Sequence, residues 1–518
     1  MITVTGEALT LASEKTKNSL NQILNRLAKK DHTLWGVDAE EEAKVRLNWI
    51  DLPVNSRDLL PELDALTAWA RSRNISTIVL AGMGGSSLAP EVIAKTFNKK
   101  LTVLDTTDPD QIAAAIPADL EHSLIVVGSK SGSTIETASH KAFFAKVFQD
   151  AGLALANHFV IVTDPGSPLD KSARAEGLRV INADPNVGGR YSALSAFGLV
   201  PAALIGVDVS LLLDDAAAAA ETFLNPGSAP VQIAATLFDK NEQNVSFFDN
   251  GSDLPGISDW IEQLIAESTG KSQTGRLPIA IESASAQIAG PALRVGFNPE
   301  SNADLRVMGT LGEQFILWEW VTALLGFCLK VDPFNQPNVT EAKERTGALL
   351  STWSDGKVPR LKASFENNLL ALYSDSSSST LEGQFSDFFS QAKHYVAIMA
   401  YLSRGIDSTA LELRSLLASR SGLGTTFGWG PRFLHSTGQF HKGGQPNGAF
   451  LQITGANKKD FTIPNQNFSF HTLLMAQALG DGQALKDRNF PLMRIHLKER
   501  EAALALLIKT LSGSASES

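Results

Sequence analysis

The fold of this chain is predicted by one short stretch, Thr77-Ile78-Val79-Leu80-Ala81-Gly82-Met83-Gly84-Gly85-Ser86-Ser87. Its first five residues are β-branched or apolar, as in a buried strand, and the glycines that follow predict a tight turn into a helix near Pro90. Such a turn lets a ligand approach the backbone, and the helix N-terminus and the two serine hydroxyls donate to an anion. By itself the pattern is equally typical of tight packing.

The same strand-turn-helix pattern recurs along the first part of the chain. Short apolar runs end in small or polar residues, and helical patterns follow them, at residues 77–82, 101–105, 124–128, 159–163 and 178–182. Their spacing of roughly 20 to 35 residues is that of βα repeats, which predicts a parallel sheet with helices on both faces.

A second series of buried strands is predicted at residues 245–248, 279–281 and 305–308. The breaking residues at 225–227 mark a boundary between the two series. Because 518 residues exceed what one hydrophobic core usually supports, we expect two principal domains. The expected division is an N-terminal helical extension at residues 1–55, a first domain at 56–228, and a second domain at 229–518 that includes a C-terminal helical extension.

Composition and charge narrow the class of protein. Hydrophobic residues make up 43% and charged residues 19%, as in ordinary globular proteins. The net charge of −10 argues against extensive binding to nucleic acid, which needs a dense Lys/Arg surface. The single cysteine, Cys328, excludes an intramolecular disulfide and a thiolate metal cluster, and it fits the reducing cytoplasm, which is the expected location.

Neither a targeting segment nor a membrane span is expected. Residues 1–30 are polar and have no apolar central run, so they do not resemble a signal peptide. The most apolar stretch, residues 315–328, is interrupted by Glu319 and Thr322 and is too short to cross a bilayer. That stretch predicts a buried helix.

A second candidate anion site lies at residues 128–134, which have the sequence Gly-Ser-Lys-Ser-Gly-Ser-Thr and precede a helix that carries Glu136. Hydroxyls, backbone N–H groups and a helix dipole converge there, where a phosphate monoester would bind. The alternative is a capping cluster with solvated serines. Because no Gly-Lys-Ser/Thr follows at the required spacing, binding of a nucleoside triphosphate is disfavoured.

A third segment, residues 188–192, has the sequence Gly-Gly-Arg-Tyr-Ser. A guanidinium fixed after a glycine turn, here that of Arg190, is suited to holding an oxyanion of a substrate. The alternative is an ordinary salt bridge in a loop.

These three segments, in this order, resemble the sugar isomerase (SIS) domain of the glucose-6-phosphate isomerases. In that family a second domain of the same type supplies a glutamate within an E-S-x-G-K segment, and residues 267–271 are Glu-Ser-Thr-Gly-Lys. The family pattern F-[DN]-Q-P-x-V-x-x-x-K matches residues 334–343, with a departure at Asn338, where glycine or alanine is usual. We expect that departure to change packing more than chemistry. The resemblance implies an α/β fold of two SIS-type three-layer α/β/α domains, with parallel sheets and helical extensions.

The histidine segment has an unusual place in the chain. In the ordinary family it lies between the catalytic glutamate and the Gln/Lys pattern, whereas here the candidate, residues 434–444, follows Lys343. The isomerase half of bacterial fusions with transaldolase shares this order, and the chain most resembles that half. His435 is the preferred catalytic histidine and His441 the alternative. Family members are commonly dimers in which the histidine reaches the neighbour's site, so a homodimer is one expectation; the changed order would also let one chain complete its own site.

The resemblance implies an enzyme that interconverts glucose 6-phosphate and fructose 6-phosphate through an enediolate, without a metal or a cofactor. Glu267 would move the proton, and Arg190 would stabilise the enediolate. His435 and Lys343 would open the sugar ring. The implied substrate-binding residues are Gly85, Ser86, Ser129, Lys130, Ser131, Ser133, Thr134, Glu136, Gly189, Gln263 and Gln336. The expected partner is the sugar phosphate, with no nucleic acid and no membrane.

Three alternatives remain open. Glu267 would form only a structural ion pair with Lys271, four residues on, if that turn is helical. In the second alternative, the chain is a related isomerase that also accepts mannose 6-phosphate. The third alternative is a non-enzymatic sugar-phosphate sensor, because SIS domains also occur in regulators. A sensor needs neither Glu267 nor Lys343, and the acidic charge balance counts against the DNA-binding module that such regulators usually carry.

Overall fold

The computed structural model describes residues 1–240, 242–353, 358–359 and 361–513, and these residues form three largely parallel sheets flanked by helices. The predicted α/β class is therefore confirmed. The N-terminal region is helical apart from one short strand. It comprises β1 (Thr3–Thr5), α1 (Glu14–Ala28), α2 (Glu40–Lys44), α3 (Leu52–Asn55) and α4 (Leu60–Ser72).

The first sheet is parallel throughout and has the predicted strands. These strands are β2 (Thr77–Gly82), β3 (Thr102–Leu104), β4 (Ser123–Gly128), β5 (Phe159–Thr163) and β6 (Arg179–Asn182). The helices that accompany them are α5 (Gly85–Thr96), α6 (Pro109–Ala115), α7 (Ile135–Asp150), α8 (Pro168–Ala175) and α9 (Ala196–Leu204). Every residue of β4 and β5 is buried, as expected of central strands with helices on both faces.

The strand order of this sheet, β3-β2-β4-β5-β6, creates a switch point at β2. From β2 the chain runs to β3 on one side and then to β4 on the other. In parallel α/β sheets the crevice at such a point, outside the carboxyl ends of the strands, is where ligands bind. The two loops that flank it, after β2 and after β4, are the two segments predicted to bind an anion.

The second sheet joins the N-terminal strand to the middle of the chain. Its helices and further strands are α10 (Val209–Thr222), α11 (Ala229–Asp239), β7 (Asn244–Phe248), α12 (Ile257–Thr269), β8 (Leu277–Ala280), β9 (Ala292–Gly296), β10 (Leu305–Met308) and α13 (Leu311–Leu329). The order is β1-β10-β9-β7-β8, and β1 alone runs antiparallel to its neighbour. Residues 2–5, expected to belong to a helical extension, thus cover one edge of a sheet.

Helix α13 contains the apolar stretch that the sequence predicts to be buried. Its residues 311–326 are buried, including Glu319 and Thr322. The helix starts with a capping box, in which Thr310 and Glu313 each accept from the other's backbone N–H. Within the described ranges, no helix is both long enough and apolar enough to cross a bilayer.

The third sheet lies where the sequence predicts only a helical extension of the second domain. Its helices and strands are α14 (Pro337–Thr352), β11 (Phe365–Glu366), β12 (Leu370–Tyr373), α15 (Leu381–Gln391), β13 (Tyr395–Tyr401), α16 (Glu412–Ser421), β14 (Gly424–Trp429), α17 (Thr437–Gly443), β15 (Gly448–Gly455), α18 (Phe470–Lys486), β16 (Leu492–Leu497) and α19 (Arg500–Ser512). The order is β11-β12-β16-β15-β13-β14. Since β13 and β15 are buried along their whole length, they show no alternation that would separate a strand from a buried helix in the sequence.

His441, the alternative catalytic histidine, lies in an aromatic cluster against this sheet. Its ring centroid is 5.3 Å from that of Phe450, 5.9 Å from that of Phe433 and 6.4 Å from that of Tyr395. Both ring nitrogens are buried and have no hydrogen-bond partner among the described residues. Burial, together with the positive charge of Lys442, lowers the pKa of His441 to about 3. This ring is therefore a neutral part of the core.

Replacement of His441 by phenylalanine should make the protein more resistant to mild acid. The unfolded chain binds a proton at this imidazole below its ordinary pKa of 6.5, while the folded chain does so only near pH 3. Stability therefore falls as the pH drops through that window, and His441→Phe removes this contribution. Between pH 7.5 and 5.5 the free energy of unfolding of the wild type should drop about 1 kcal/mol further than that of the variant.

Urea unfolding at the two pH values measures this difference. His122→Asn is the control of opposite sign, because a hydrogen bond from the imidazole to the Asp119 carboxylate raises the pKa of the partly exposed His122. Equal losses for the wild type and His441→Phe would show that the imidazole is charged in the folded protein.

Candidate active site

The loops after β2 and β4 line one cavity of ≈ 300 Å³ together with the turn at residues 188–190 and the buried helix α12. The cavity lies at the switch point of the first sheet, and His435 and residues of the segment 334–343 also line it. Parts of the chain that are far apart in sequence therefore meet at one place.

Two glycines allow these parts to approach each other. A Cβ atom on Gly85 would lie 1.8 Å from the carbonyl oxygen of Gly189, so no side chain fits between the two turns. Gly84 has φ of +55°, and a Cβ atom there would lie 2.8 Å from Nε2 of Gln263. The predicted glycine turn therefore serves close packing as well as access to the cavity. Ser86, just behind it, is buried and lines the cavity.

The loop at residues 128–134 presents hydroxyl groups beside the start of helix α7. The Oγ of Ser129 donates to Thr134 Oγ1 at 3.3 Å, and the hydroxyls of Ser131 and Ser133 are 3.0 Å apart. Thr134 occupies the N-cap position of α7, but its side chain does not cap the helix. The first amides of α7 and the loop hydroxyls are thus oriented as an anion site requires.

Lys130 lies in the same loop, but its ammonium group already has partners. Its Nζ is 2.6 Å from Asp164 Oδ2 and donates to the carbonyl of Pro185 at 3.0 Å. Burial lowers the pKa of Lys130, and the neighbouring Asp164 only partly opposes this effect. The ammonium is thus engaged by the protein, and binding of a ligand through the Lys130 backbone N–H stays a prediction.

The guanidinium of Arg190 is almost fully enclosed, with 2% of the side chain exposed. Four hydrogen bonds join it to protein acceptors, and an ion pair joins it to Glu267. Nε donates to Ser268 Oγ at 2.8 Å, and Nη1 is 3.0 Å from Gln336 Oε1 and 3.1 Å from Glu267 Oε1. Nη2 donates to the carbonyls of Pro333 at 2.7 Å and Asn335 at 2.9 Å. Arg190 therefore joins the turn at 188–190 to helix α12 and to the segment before α14.

Glu267, near the end of α12, is buried at the wall of the cavity. One carboxylate oxygen faces Arg190, and the other accepts from Gln263 Nε2 at 3.1 Å. Lys271 does not pair with it; the ammonium of Lys271 donates to the carbonyl of Asp332. The alternative of a Glu267–Lys271 ion pair is thus wrong, and the partner of Glu267 is Arg190.

His435 stands on the same cavity, close to Glu267. Gln263 Nε2, which binds Glu267, also donates to the backbone carbonyl of His435 at 2.8 Å. The imidazole Nε2 of His435 lies 2.9 Å from Glu136 Oε1, which also accepts from Gln477 Nε2 at 2.7 Å. Since Nε2 is engaged by Glu136, Nδ1 is the ring nitrogen left for a ligand.

Glu136 is a buried carboxylate that stays ionised. Burial would raise its pKa, but the charge and hydrogen bond of His435, with a smaller contribution from Lys343, hold it at about 2. It was predicted to bind substrate. The structure places it behind the imidazole of His435, where it orients the ring.

Lys343 and Gln336 complete the wall that α14 provides. Lys343 lies on the cavity, is exposed, and makes no hydrogen bond or ion pair with the described residues. Asn338, where the chain departs from the family pattern, forms a pair of hydrogen bonds with Gln439 of α17, at 3.0 Å and 2.8 Å. That contact fixes α14 against α17 and agrees with an effect on packing.

Most predicted site residues thus line one cavity: Gly85, Ser86, Ser129, Lys130, Ser131, Thr134, Gly189, Arg190, Gln263, Glu267, Gln336, Lys343 and His435. Ser133 and Glu136 line an adjoining cavity of ≈ 190 Å³, which shares Lys343 and His435 with the first. His441 lines neither of the two.

The sequence analysis missed three residues of this region. Arg46, in the N-terminal region, and Asp164, after β5, line the larger cavity, and Gln477 of α18 supports Glu136. A polar residue directly after a predicted strand was a usable signal for Asp164. Arg46 and Gln477 lie on patterns that are ordinary for a helix surface and a buried helix, so nothing local distinguishes them.

Comparison with known proteins points to one enzyme family. The family model of phosphoglucose isomerase matches residues 62–289. The glucose-6-phosphate isomerase of Thermus thermophilus is 35% identical over 236 residues, which are 43% of this chain and 56% of that protein. The glucose-6-phosphate isomerase of Campylobacter jejuni is 34% identical over 220 residues, 40% of this chain and 54% of that protein. The chain thus spans about half the length of the curated relatives it matches.

A solved structure extends the likeness of the fold. The crystal structure of a glucose-6-phosphate isomerase from Chlamydia trachomatis superposes with a TM-score of 0.54 at 20% identity, covering 68% of this chain and 90% of that chain. The family model ends before Lys343 and His435, both of which the fold brings to the cavity. The predicted architecture of SIS-type α/β/α domains is confirmed, and the chain is similar to phosphoglucose isomerases over the region that carries Glu267.

Proposed function

We propose that this chain interconverts glucose 6-phosphate and fructose 6-phosphate through an enediolate intermediate. One observation carries the proposal: Glu267 and His435 of a single chain share a cavity with the hydroxyl loop at residues 128–134. A base, a second acid/base group and an anion site are what this isomerisation needs. The similarity to glucose-6-phosphate isomerases over residues 62–289 supports the same reaction.

The phosphate group fixes the reacting end of the sugar in this proposal. Ser129, Ser131 and Thr134 donate hydroxyl hydrogens, and the first amides of α7 add the positive end of the helix dipole. Ser86 and Gln336 line the cavity beside them. A substrate held at its phosphate presents C1 and C2 to a fixed carboxylate, which removes much of the entropic cost of the reaction.

Glu267 transfers the proton between the two carbons. Its carboxylate takes the hydrogen from C2 of the open-chain aldose, and the electron pair forms the C1–C2 double bond of the enediolate. The hydroxyl proton on O2 moves to O1, and the protonated Glu267 returns its proton to C1, which leaves a carbonyl at C2. A hydrogen bond from Gln263 and the ion pair with Arg190 hold the carboxylate in place, so both carbons are reached from one position.

Arg190 acts mainly through its charge. Because four hydrogen bonds hold its guanidinium against the protein, it acts on an enediolate oxygen as a buried positive charge beside Glu267. A fixed charge in a site that excludes water stabilises a developing anion strongly, since no reorganisation is needed during the reaction.

His435 and Lys343 open the sugar ring. Ring opening breaks the C1–O5 bond, adds a proton to O5 and removes one from the anomeric hydroxyl. Glu136 holds the imidazole so that Nδ1 faces the cavity, and Lys343 lies on the same wall. All steps are proton transfers, so no metal or redox cofactor belongs to the proposal.

Three further points belong to the proposal. The order of segments, with the histidine after Lys343, relates the chain to the isomerase half of bacterial transaldolase fusions. One chain supplies the complete site, so in a homodimer each site uses His435 of its own chain. A reaction on sugar phosphates, with a single half-buried thiol at Cys328, fits the cytoplasm.

Glu267→Gln should abolish proton transfer while leaving phosphate binding intact. Glutamine keeps the size of the side chain but cannot accept the C2 proton, and the loss of such a group costs on the order of a hundred- to ten-thousand-fold in rate. Exchange of the C2 hydrogen of glucose 6-phosphate with deuterated solvent, followed by NMR, measures the step directly.

Glu262→Gln is the matched control for this experiment. Glu262 lies on the same helix but lines a different cavity, and burial raises its pKa well above the ordinary value, so the variant removes a carboxyl of similar burial that has no part in the proposed reaction. We expect exchange close to the wild-type rate in that variant. If Glu267→Gln exchanged the C2 hydrogen at a rate within a few-fold of wild type, Glu267 would not be the base.

His435→Ala should lose activity on the cyclic sugar much more than on an open one. An aldose 4-phosphate of four carbons cannot close a ring through its phosphorylated oxygen, so it bypasses the step assigned to His435. We expect a loss of about a hundredfold or more for glucose 6-phosphate and a markedly smaller loss for the tetrose phosphate.

His441→Phe, with its substitution in the core, controls for general damage to the third sheet. If His441→Phe lost far more activity than His435→Ala on the cyclic sugar, with both proteins folded, the two histidines would have to exchange roles.

A further inference from the structure

The N-terminal region places one cation at the phosphate end of the cavity. Arg46 follows helix α2 and lines the cavity beside Lys130, Ser131 and Asp164. Its charge is close enough to contribute to the lowered pKa of Lys130, for which burial is the main cause. No sequence pattern pointed to this residue, because it lies outside the segments that bear the family resemblance.

The backbone around Arg46 is fastened to the loop that leads into the turn at 188–190. Leu47 and Val187 form an antiparallel bridge, and the amide of Asn48 donates to the Asn186 carbonyl at 3.3 Å. The side chain of Asn48 also donates to Asp184 Oδ2 at 2.7 Å. The position of Arg46 is therefore set by the same loop that positions Arg190.

Three contacts orient the guanidinium of Arg46 and leave one nitrogen unused. Its Nε donates to Glu42 Oε1 at 2.7 Å, and Nη1 donates to the carbonyls of Pro185 at 3.1 Å and Val45 at 3.3 Å. Nη2 makes no hydrogen bond with the described residues, and 25% of the side chain is exposed. The two hydrogens on Nη2 are thus available to a ligand.

The other cations on the cavity cannot fill this role. Lys130 is paired with Asp164, and the buried Arg190 is paired with Glu267 and donates to four protein acceptors. Lys343 has free donors, but its charge acts on Glu136, at the end of the cavity where His435 stands. A phosphate monoester carries nearly two negative charges, and the hydroxyl loop alone offers it only neutral donors.

We propose that Arg46 binds the phosphate group of the ligand through Nη2 and so makes the N-terminal region part of the substrate site. The identity of that ligand as a sugar phosphate rests on the proposed function; the anion site itself does not. A charge-assisted hydrogen bond from a fixed guanidinium is among the stronger polar contacts in proteins.

Titration with inorganic phosphate tests the site without any need for turnover. Loss of a hydrogen bond to a charged group should weaken phosphate binding about tenfold or more in Arg46→Gln, measured by calorimetry at pH 7.5. Arg46→Lys should lie between this variant and the wild type, because it keeps the charge without the fixed geometry. Arg26→Gln, which removes an N-terminal arginine paired with Asp31 away from the cavity, should bind phosphate like the wild type.

A purely structural role for Arg46 predicts a different result. Inorganic phosphate gains most of its second negative charge between pH 5.5 and pH 7.5, so the wild type should bind it more tightly at the higher pH. Contact with Arg46 predicts that Arg46→Gln loses much of this preference. With glucose 6-phosphate as substrate, KM should rise by a similar factor while kcat stays near the wild-type value. If Arg46 only holds the loop in place, Arg46→Gln should lower kcat and thermal stability without changing the preference for the phosphate dianion.

The two proposals fail in distinguishable ways. If the wild type binds phosphate in a manner that depends on Arg46 but shows no isomerisation, the proposed reaction is overturned and the anion site stands. If the wild type is active and folded Arg46→Gln binds phosphate as tightly as Arg26→Gln, the role of Arg46 is overturned. Should Arg46→Gln fail to fold, Arg46→Leu takes its place. Unchanged phosphate affinity and pH preference in that variant would equally overturn the role of Arg46.

Discussion

The buried guanidinium of Arg190 is the constraint on which the site depends. A charge that is removed from water has to be satisfied by nearby acceptors, or the folded state loses several kcal/mol. The acceptors of Arg190 come from helix α12 and from residues 333–336, so the turn that follows the first sheet cannot shift without leaving a buried charge unpaired. Glu267 is held by the same cation, and its position is therefore fixed by the packing of α12 and residues 333–336 against the turn at 188–190.

The topology of the first sheet determines what surrounds this cation. Because β2 lies between β3 and β4, the loops that follow β2 and β4 diverge and leave a crevice. Gly84 and Gly85 then allow the turn at 188–190 and the side chain of Gln263 to close over it. The hydroxyl loop at residues 128–134 and Glu267 both line this crevice.

The first sheet and the two loops beside its crevice could be predicted from the sequence, because they depend on local patterns. In each repeat the strand, the turn and the helix N-terminus follow one another directly in the chain. The third sheet could not be predicted in this way, since β13 and β15 are buried on both faces and resemble a buried helix. The role of Glu136 was missed because its partners, His435 and Gln477, approach it only through the packing of the third sheet against the first. Arg46 could not be predicted for the same reason, because its contact with the cavity depends on pairing between residues 46–48 and 184–187, which are far apart in the sequence.

Strand β1 has a consequence for the synthesis of the protein. Its partner, β10, lies about three hundred residues further along the chain, so Thr3–Thr5 leave the ribosome long before their place in the second sheet exists. During that interval β1 has no neighbour, and the outer edge of β10, once it is made, stays open until β1 pairs with it. An open strand edge is a template for pairing with other chains. A nascent chain therefore depends on the return of its own β1 to close the sheet, and protease cleavage just after β1 would leave an otherwise intact protein with an edge prone to association.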